Sequence, residues 1–316
     1  MKQKMHWVLT FAAVSLSLTM GQAWEFQTPA QPPAGQGAGA GAPDPARGGQ
    51  PGAPGGRRGG AGFVTPVMDS TPPELPKNLK SGGLLIFSKT NGYRDDPSIQ
   101  ASNEALVKIA TKRGWPVYVT ENAAVMNPEQ LKRFKVTVWN NTSGDTHTEA
   151  QRAAFKTWLE NGGAFVGIHG AGGDPKYAWA WYPETLIGAQ FTEHSSRQLG
   201  TVHIEDRNSP IMKGLPENWI RTVPDEWYSF KENPRAKGMH ILATADEKSY
   251  NPGRTAMGED HPMVWTHCVG KGKVFYSAIG HPAASYTDEP LHLMMLENAL
   301  AWALGQNGGP SCPSGK

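Results

Sequence analysis

Residues 82–168 repeat one pattern: a short apolar run, a polar or glycine-rich end, then helical spacing. The runs are Leu84-Leu85-Ile86-Phe87, Val117-Tyr118-Val119, Val136-Thr137-Val138-Trp139 and Ala164-Phe165-Val166-Gly167-Ile168. Runs this short and this apolar read as strands buried on both faces. Between them, Ile99, Leu106, Ile109 and Ala110 mark a helix over 98–113, closed by Gly114. Asn127-Pro128-Glu129 opens a short helix with proline at its first position. A third helix spans 146–161, where Thr146 and Glu149 predict a capping box and Gly162 the stop. Strands that alternate with helices build βαβ units, so the fold class is α/β with a mostly parallel central sheet.

The fourth run delivers a single histidine into a crowd of glycines, GGAFVGIHGAGGD over 162–174. In open α/β sheets ligands sit beyond the carboxyl ends of the strands. Four polar stations have that position here: 90–96, 140–143, 169–174 and His281. Glu193-His194 and Asp225-Glu226-Trp227-Tyr228 lie between them in sequence. This constellation nominates His169, Glu226 and His281 for catalysis. It nominates Asp95, Tyr93, Asn140, Asp174, Trp227 and Tyr228 for substrate binding. His169, His194 and His281 beside a carboxylate would suit a divalent metal such as zinc. Their spacing is not local, so a metal set depends on the fold to assemble it. Metal-free proton transfer by histidine and glutamate is the alternative. Bland readings stand beside these: His194 as a loop histidine, His281 as a strand-end cap, Asp225-Glu226 as a solvated turn, and Trp227 and Tyr228 as core.

The second half is less regular. Residues 178–191 are aromatic and partly helical, 202–206 and 239–243 read as strands, and 289–304 as a closing helix. Residues 263–268 and 273–279 flank Val269-Gly270-Lys271-Gly272, a hairpin signal. At the other end, Lys2, Lys4, an apolar core over 7–20 and Gly21-Gln22-Ala23 form a signal peptide over 1–23. An uncleaved anchor is the alternative, but the core is short of the roughly 20 residues a span needs. The expected mature chain is exported, periplasmic or extracellular, with no stable membrane insertion. Residues 24–77 are a Pro/Gly/Ala-rich linker and lead-in; 28–62 have too little apolar surface to fold, and the Pro-rich lead-in over 63–80 is expected to pack along the domain. The folded domain is expected over 78–306, followed by a flexible tail over 307–316. Thirty Lys and Arg against twenty-eight Asp and Glu give a net charge of +2, which argues against a nucleic-acid surface. Cys268 and Cys312 form no framework or CxxC pair; a single bridge between them is left open.

Several motifs, in order, resemble the ThuA-like (trehalose-utilisation) family: GGAFVGIHGAGG, WYPETLIGAQFTEH, DEWY, PMVWTHCVGKGKVFYSAIGH and LENALAWALG. The resemblance covers about 82–305. It implies a flavodoxin-like, class I glutamine amidotransferase-like three-layer fold. True amidotransferases of that fold carry a nucleophilic cysteine at the elbow where this chain has His169, and an imidazole cannot replace a thiolate nucleophile. The family commonly closes the first loop with histidine after Gly-Phe/Tyr-Arg, whereas this chain reads Gly92-Tyr93-Arg94-Asp95-Asp96. The resemblance implies a small-molecule carbohydrate or keto-sugar substrate, processed by isomerisation, elimination or hydrolysis. A non-catalytic periplasmic sugar- or metal-binding module is the alternative, and an oligomer is left open.

Overall fold

The structure, a computed structural model, describes residues 66–309 and Cys312. The expected signal peptide and most of the linker lie outside the described residues. The first half forms β1 (Gly83–Phe87), α1 (Asp96–Arg113), β2 (Val117–Thr120), α2 (Pro128–Leu131), β3 (Phe134–Asn140), α3 (Glu149–Glu160) and β4 (Ala164–Ile168). The second adds β5 (Phe191–His194), β6 (Thr201–Ile204), β7 (Asn218–Ile220), β8 (Tyr228–Phe230), β9 (His240–Asp246), β10 (Pro262–Val269), β11 (Gly272–Ser277), α4 (Ala284–Thr287) and α5 (Pro290–Ala303).

Nine strands form one sheet in the order β2-β1-β3-β4-β11-β10-β9-β6-β7. Pairing is parallel from β2 to β11 and antiparallel from there on. Only β10 and β6 therefore run against the rest, and the sheet is mostly parallel. The parallel half has the flavodoxin-like order, whose strand order reverses between β1 and β3. A separate antiparallel ribbon joins β5 and β8.

Successive side chains on a strand point to opposite faces, and the end of β3 shows both. Trp139 packs on Phe155 of α3, with ring centroids 4.9 Å apart. Asn140 donates to Ser102 and Asn103 of α1, at 2.6 and 2.8 Å. Helices thus cover both faces in a three-layer fold, with α1, α4 and α5 in mutual contact on one side. The apolar runs supply the core: all of β1 and β4 is buried.

Local signals worked where side chain meets backbone. Asn127 caps α2, and Gly114 ends α1 in the left-handed conformation. The third helix starts two residues later than its sequence signature: Thr148, not Thr146, is the N-cap, with Gln151 completing the box. Thr146 is instead buried beside His147 Nδ1. The aromatic segment forms one wide helical turn, Tyr182–Ile187. Before β1, Asp69 accepts from Lys89 Nζ (2.6 Å) and from the Ala123 N–H (2.8 Å), strapping the lead-in to the domain. Cys312 is bonded to Cys268 of β10, so the expected free tail is tied at that point. Among the described residues no helix is long and apolar enough to cross a membrane.

Candidate functional site

Register brings the strand ends level. Asn140 pairs with Ile168, and Ile168 with Ser277. The next residues, Asn141, His169 and Ala278, therefore emerge side by side above the sheet. Asn141 (φ 51°) and His169 (φ 42°) are the only non-glycine residues with positive φ among those described. A left-handed residue at a strand-to-helix turn is a strained elbow, with a cost of about 1–3 kcal/mol that neighbouring contacts must offset. Those contacts are present: the Gly170 N–H donates to Asn141 Oδ1 (3.2 Å), and Tyr276 Oη donates to the His169 carbonyl (2.9 Å). Glycines follow because there is no room for more. A Cβ on Gly172 would lie 2.6 Å from the Tyr276 ring, and one on Gly173 2.6 Å from Tyr228 Oη.

The His169 ring is buried and its tautomer is set by its neighbours. Nδ1 stands 2.7 Å from the Ala278 carbonyl, which can only accept. The proton therefore sits on Nδ1, and Nε2 offers a lone pair. Tyr228 Oη donates to that Nε2 at 2.8 Å, and His281 Nδ1 lies 3.0 Å from it. Burial, aided by nearby His281, depresses the His169 pKa to about 3, so the ring is neutral at neutral pH.

His281 follows β11 and lies between two carboxylates. Its Nδ1 is 3.2 Å from Glu226 Oε2 and its Nε2 is 3.2 Å from Asp95 Oδ2. Burial lowers its pKa, with Glu226 pulling the other way. Asp95 has two tasks: Oδ1 caps α1 through the Ser98 N–H (3.2 Å) while Oδ2 faces the imidazole. Arg197 reaches in from the loop after β5. Its Nη2 contacts His281 Nε2 and lies 3.7 Å from Asp95 Oδ2, and its Nε is 3.5 Å from Glu226 Oε1. His169, Glu226 and His281 each present one ligand-type atom, all within 4.8 Å of one another.

Beneath this group lies a buried ionic frame. Asp225 accepts from Arg221 Nη1 (2.9 Å) and the Gly280 N–H (2.9 Å) on one oxygen. Its other oxygen accepts from the Glu226 N–H (2.9 Å) and the His281 N–H (3.1 Å). Arg221 also makes a two-pronged bond to Glu289, both contacts at 2.6 Å. Burial is the largest single influence and works against the Asp225 carboxylate, but Arg221, His169 and the Gly280 N–H together outweigh it and the pKa falls to about 2.

The structure brings His169, His281, Glu226, Asp95 and Tyr228 together. Tyr93 is exposed at the mouth, its ring 6.3 Å from that of His281. Other nominated residues are elsewhere. His194 is on the rim, donating Nδ1 to the Ser195 carbonyl (2.8 Å) and 3.6 Å from Glu226 Oε2; Glu226 takes its place in the candidate ligand set. Trp227 is fully buried against Tyr250, its indole N–H donating to the Gln198 carbonyl. Asn140 is spent on α1, and Asp174 accepts from the Gly144 N–H, tying two loops together. The neighbours Trp227 and Tyr228 part at the entry to β8: the first packs on Tyr250 and the second reaches His169. Sequence reasoning missed Arg197, Arg221 and Glu289. Each lies in a segment with no motif, and a buried arginine shows no local periodic signal.

Residues 83–303 match the profile of the ThuA family, described as trehalose utilisation. A solved ThuA-like protein from Bacteroides uniformis is 25% identical, with a TM-score of 0.62, over 75% of this chain and 97% of that one. A second, from Parabacteroides merdae, is 18% identical, with a TM-score of 0.57, over 73% and 93%. No curated protein matches the chain.

Proposed function

This chain belongs to the ThuA, trehalose-utilisation family, and on that footing we propose that it is an exported enzyme acting on a carbohydrate or a keto-sugar derivative. The observation that carries the reading is the His281–Glu226 pair, 3.2 Å apart in a buried crevice at the carboxyl edge of the sheet. With the carboxylate ionised, such a pair can take a proton from a carbon or hydroxyl beside a carbonyl, hold it between imidazole and carboxylate, and return it to an oxygen. Isomerisation, elimination and hydrolysis of a keto-sugar all need that transfer. His169, nominated for proton transfer on sequence grounds, is too weak a base at a pKa of about 3. We assign it the orienting role, its Nε2 lone pair holding the Tyr228 hydroxyl beside the His281–Glu226 pair. Tyr93, Asp95 and Arg197 line the approach and would hold the sugar hydroxyls.

Glutamine hydrolysis fits poorly. The elbow carries His169, and both Cys268 and Cys312 are consumed in a disulfide. That bridge also supports export, because disulfides persist in oxidising compartments.

The test is turnover across a panel of glycosides and 3-keto-glycosides. Wild type should convert at least one keto-glycoside. Glu226→Gln, close in shape, should lose at least a hundredfold in kcat with an unchanged melting temperature. Full activity of Glu226→Gln would refute the assignment. Stabilisation by a sugar without turnover would instead favour a binding module.

A further inference from the structure

We propose that His169 Nε2, His281 Nδ1 and Glu226 Oε2 bind one divalent first-row metal ion of the zinc class, and that Arg197 competes with that ion for the same carboxylates. The ion would take the two atoms between which the proposed reaction holds its proton, so it is a second occupant of that pocket and stands or falls apart from the proposed function. The three atom pairs are 3.0, 3.2 and 3.9 Å apart. Ligands about 2.0–2.2 Å from a tetrahedral ion stand about 3.3–3.6 Å from each other. The triangle averages close to that edge without any change of backbone.

The surroundings agree. A metal-bound histidine usually donates its other N–H to a carbonyl or carboxylate, which fixes the tautomer. Here Ala278 O faces His169 Nδ1 at 2.7 Å and Asp95 Oδ2 faces His281 Nε2 at 3.2 Å. The donor set, two imidazoles and one carboxylate, suits zinc and its first-row neighbours rather than calcium or magnesium. His169 and His281 are each about 95% or more buried, so both imidazoles are held in place by packing. The Tyr228 hydroxyl, 2.8 Å from His169 Nε2, holds that lone pair in the absence of an ion and would have to release it when one binds.

Arg197 is the contrary element. Its guanidinium spans Asp95 and Glu226 and contacts His281 Nε2, where it asks for a lone pair. Metal binding through Nδ1 puts the His281 proton on Nε2, which faces Asp95 and repels Arg197. The two cations are therefore mutually exclusive at this distance, and the half-exposed arginine side chain can swing outward. The tautomer of His281 reports which of them holds the carboxylates.

The experiment is calorimetric titration of the chelator-treated full chain with Zn2+, together with the visible absorption of the Co2+ form. Wild type should bind one ion per chain with a tetrahedral-type cobalt spectrum. Glu226→Gln and His281→Ala should each abolish that stoichiometric binding while circular dichroism stays unchanged. Asp95→Asn should weaken binding about 10–100-fold. Arg197→Ala should tighten it; weaker or equal affinity would overturn the competing role. Absence of stoichiometric binding by wild type, or binding untouched in both Glu226→Gln and His281→Ala, would overturn the metal site. Keto-glycoside turnover by a chain that shows no stoichiometric binding would refute the metal site and spare the proposed reaction. Stoichiometric binding without turnover would do the reverse.

Discussion

Asp225 Oδ1 accepts the main-chain N–H of His281 at 3.1 Å. The carboxylate does not enter the crevice; it sets where the crevice histidine stands, and it binds the Glu226 N–H as well. A charge this deeply buried persists only because Arg221 faces it. Arg221→Ala would leave Asp225 and Glu289 as buried, unpaired charges. We expect a loss of about 3–5 kcal/mol in urea unfolding. Asp225→Asn should be milder in stability but should lower kcat more than it raises KM, because it loosens His281. Unchanged unfolding midpoints for Arg221→Ala would contradict the frame.

The fold should be acid-sensitive. His147 and His292 are buried and neutral, each with a pKa lowered to about 3, first by burial and then by Arg152 and Arg221 respectively. The unfolded chain protonates them near 6.5, whereas the folded chain resists until about 3. Stability is therefore lost as pH falls through that window, at about 1.4 kcal/mol per histidine per pH unit. Asp174 acts oppositely: burial raises its pKa to about 6, so its protonation restores some stability below that pH. From pH 6.5 to 4.5 the two histidines cost roughly 5 kcal/mol and Asp174 returns roughly 2. His292→Phe should make the midpoint less dependent on pH over this range. A midpoint flat from pH 6.5 to 4.5 in the wild type would disprove this.

Gly173 protects the contact between Tyr228 and His169. Gly173→Ala would drive a methyl to 2.6 Å from Tyr228 Oη and displace the hydroxyl from His169 Nε2. We expect at least a tenfold fall in kcat on a keto-glycoside and, from overpacking, about 1–3 kcal/mol of destabilisation. If the variant matched wild type in both, the Tyr228 contact would be dispensable.

Reduction should weaken the chain. The Cys268–Cys312 bridge closes a loop of 44 residues in sequence separation. Loop-closure entropy for that length gives about 2–4 kcal/mol. Dithiothreitol should lower the urea midpoint accordingly, and Cys312→Ser should be insensitive to it. Equal loss in Cys312→Ser would place the effect elsewhere.

Much of this architecture is local and therefore legible in the chain. Apolar runs of strand length, proline at the start of α2 and glycine after α1 act through neighbours a few residues away. They predicted the α/β class, a mostly parallel sheet and a hairpin over 263–279, and they put His169 and His281 at strand ends, with Glu226 in a polar segment between them. Other features belong to three dimensions. Thr148 rather than Thr146 caps α3, because Thr146 is buried together with His147, whose ring stacks on Trp139 of β3 at 4.6 Å. Trp227 and Tyr228 part company at the entry to β8, the first packed on Tyr250 and the second reaching His169. Arg197 meets Glu226 and His281 across gaps of 29 and 84 residues, and Arg221 meets Glu289 across 68, separations at which no sequence periodicity operates. Above all, whether His169 is an acid, a base or a lone-pair donor depended on burial and on the Ala278 carbonyl brought beside it by the β4–β11 register. Desolvation and through-space contacts set that chemistry, and both are properties of the packed fold rather than of the order of residues.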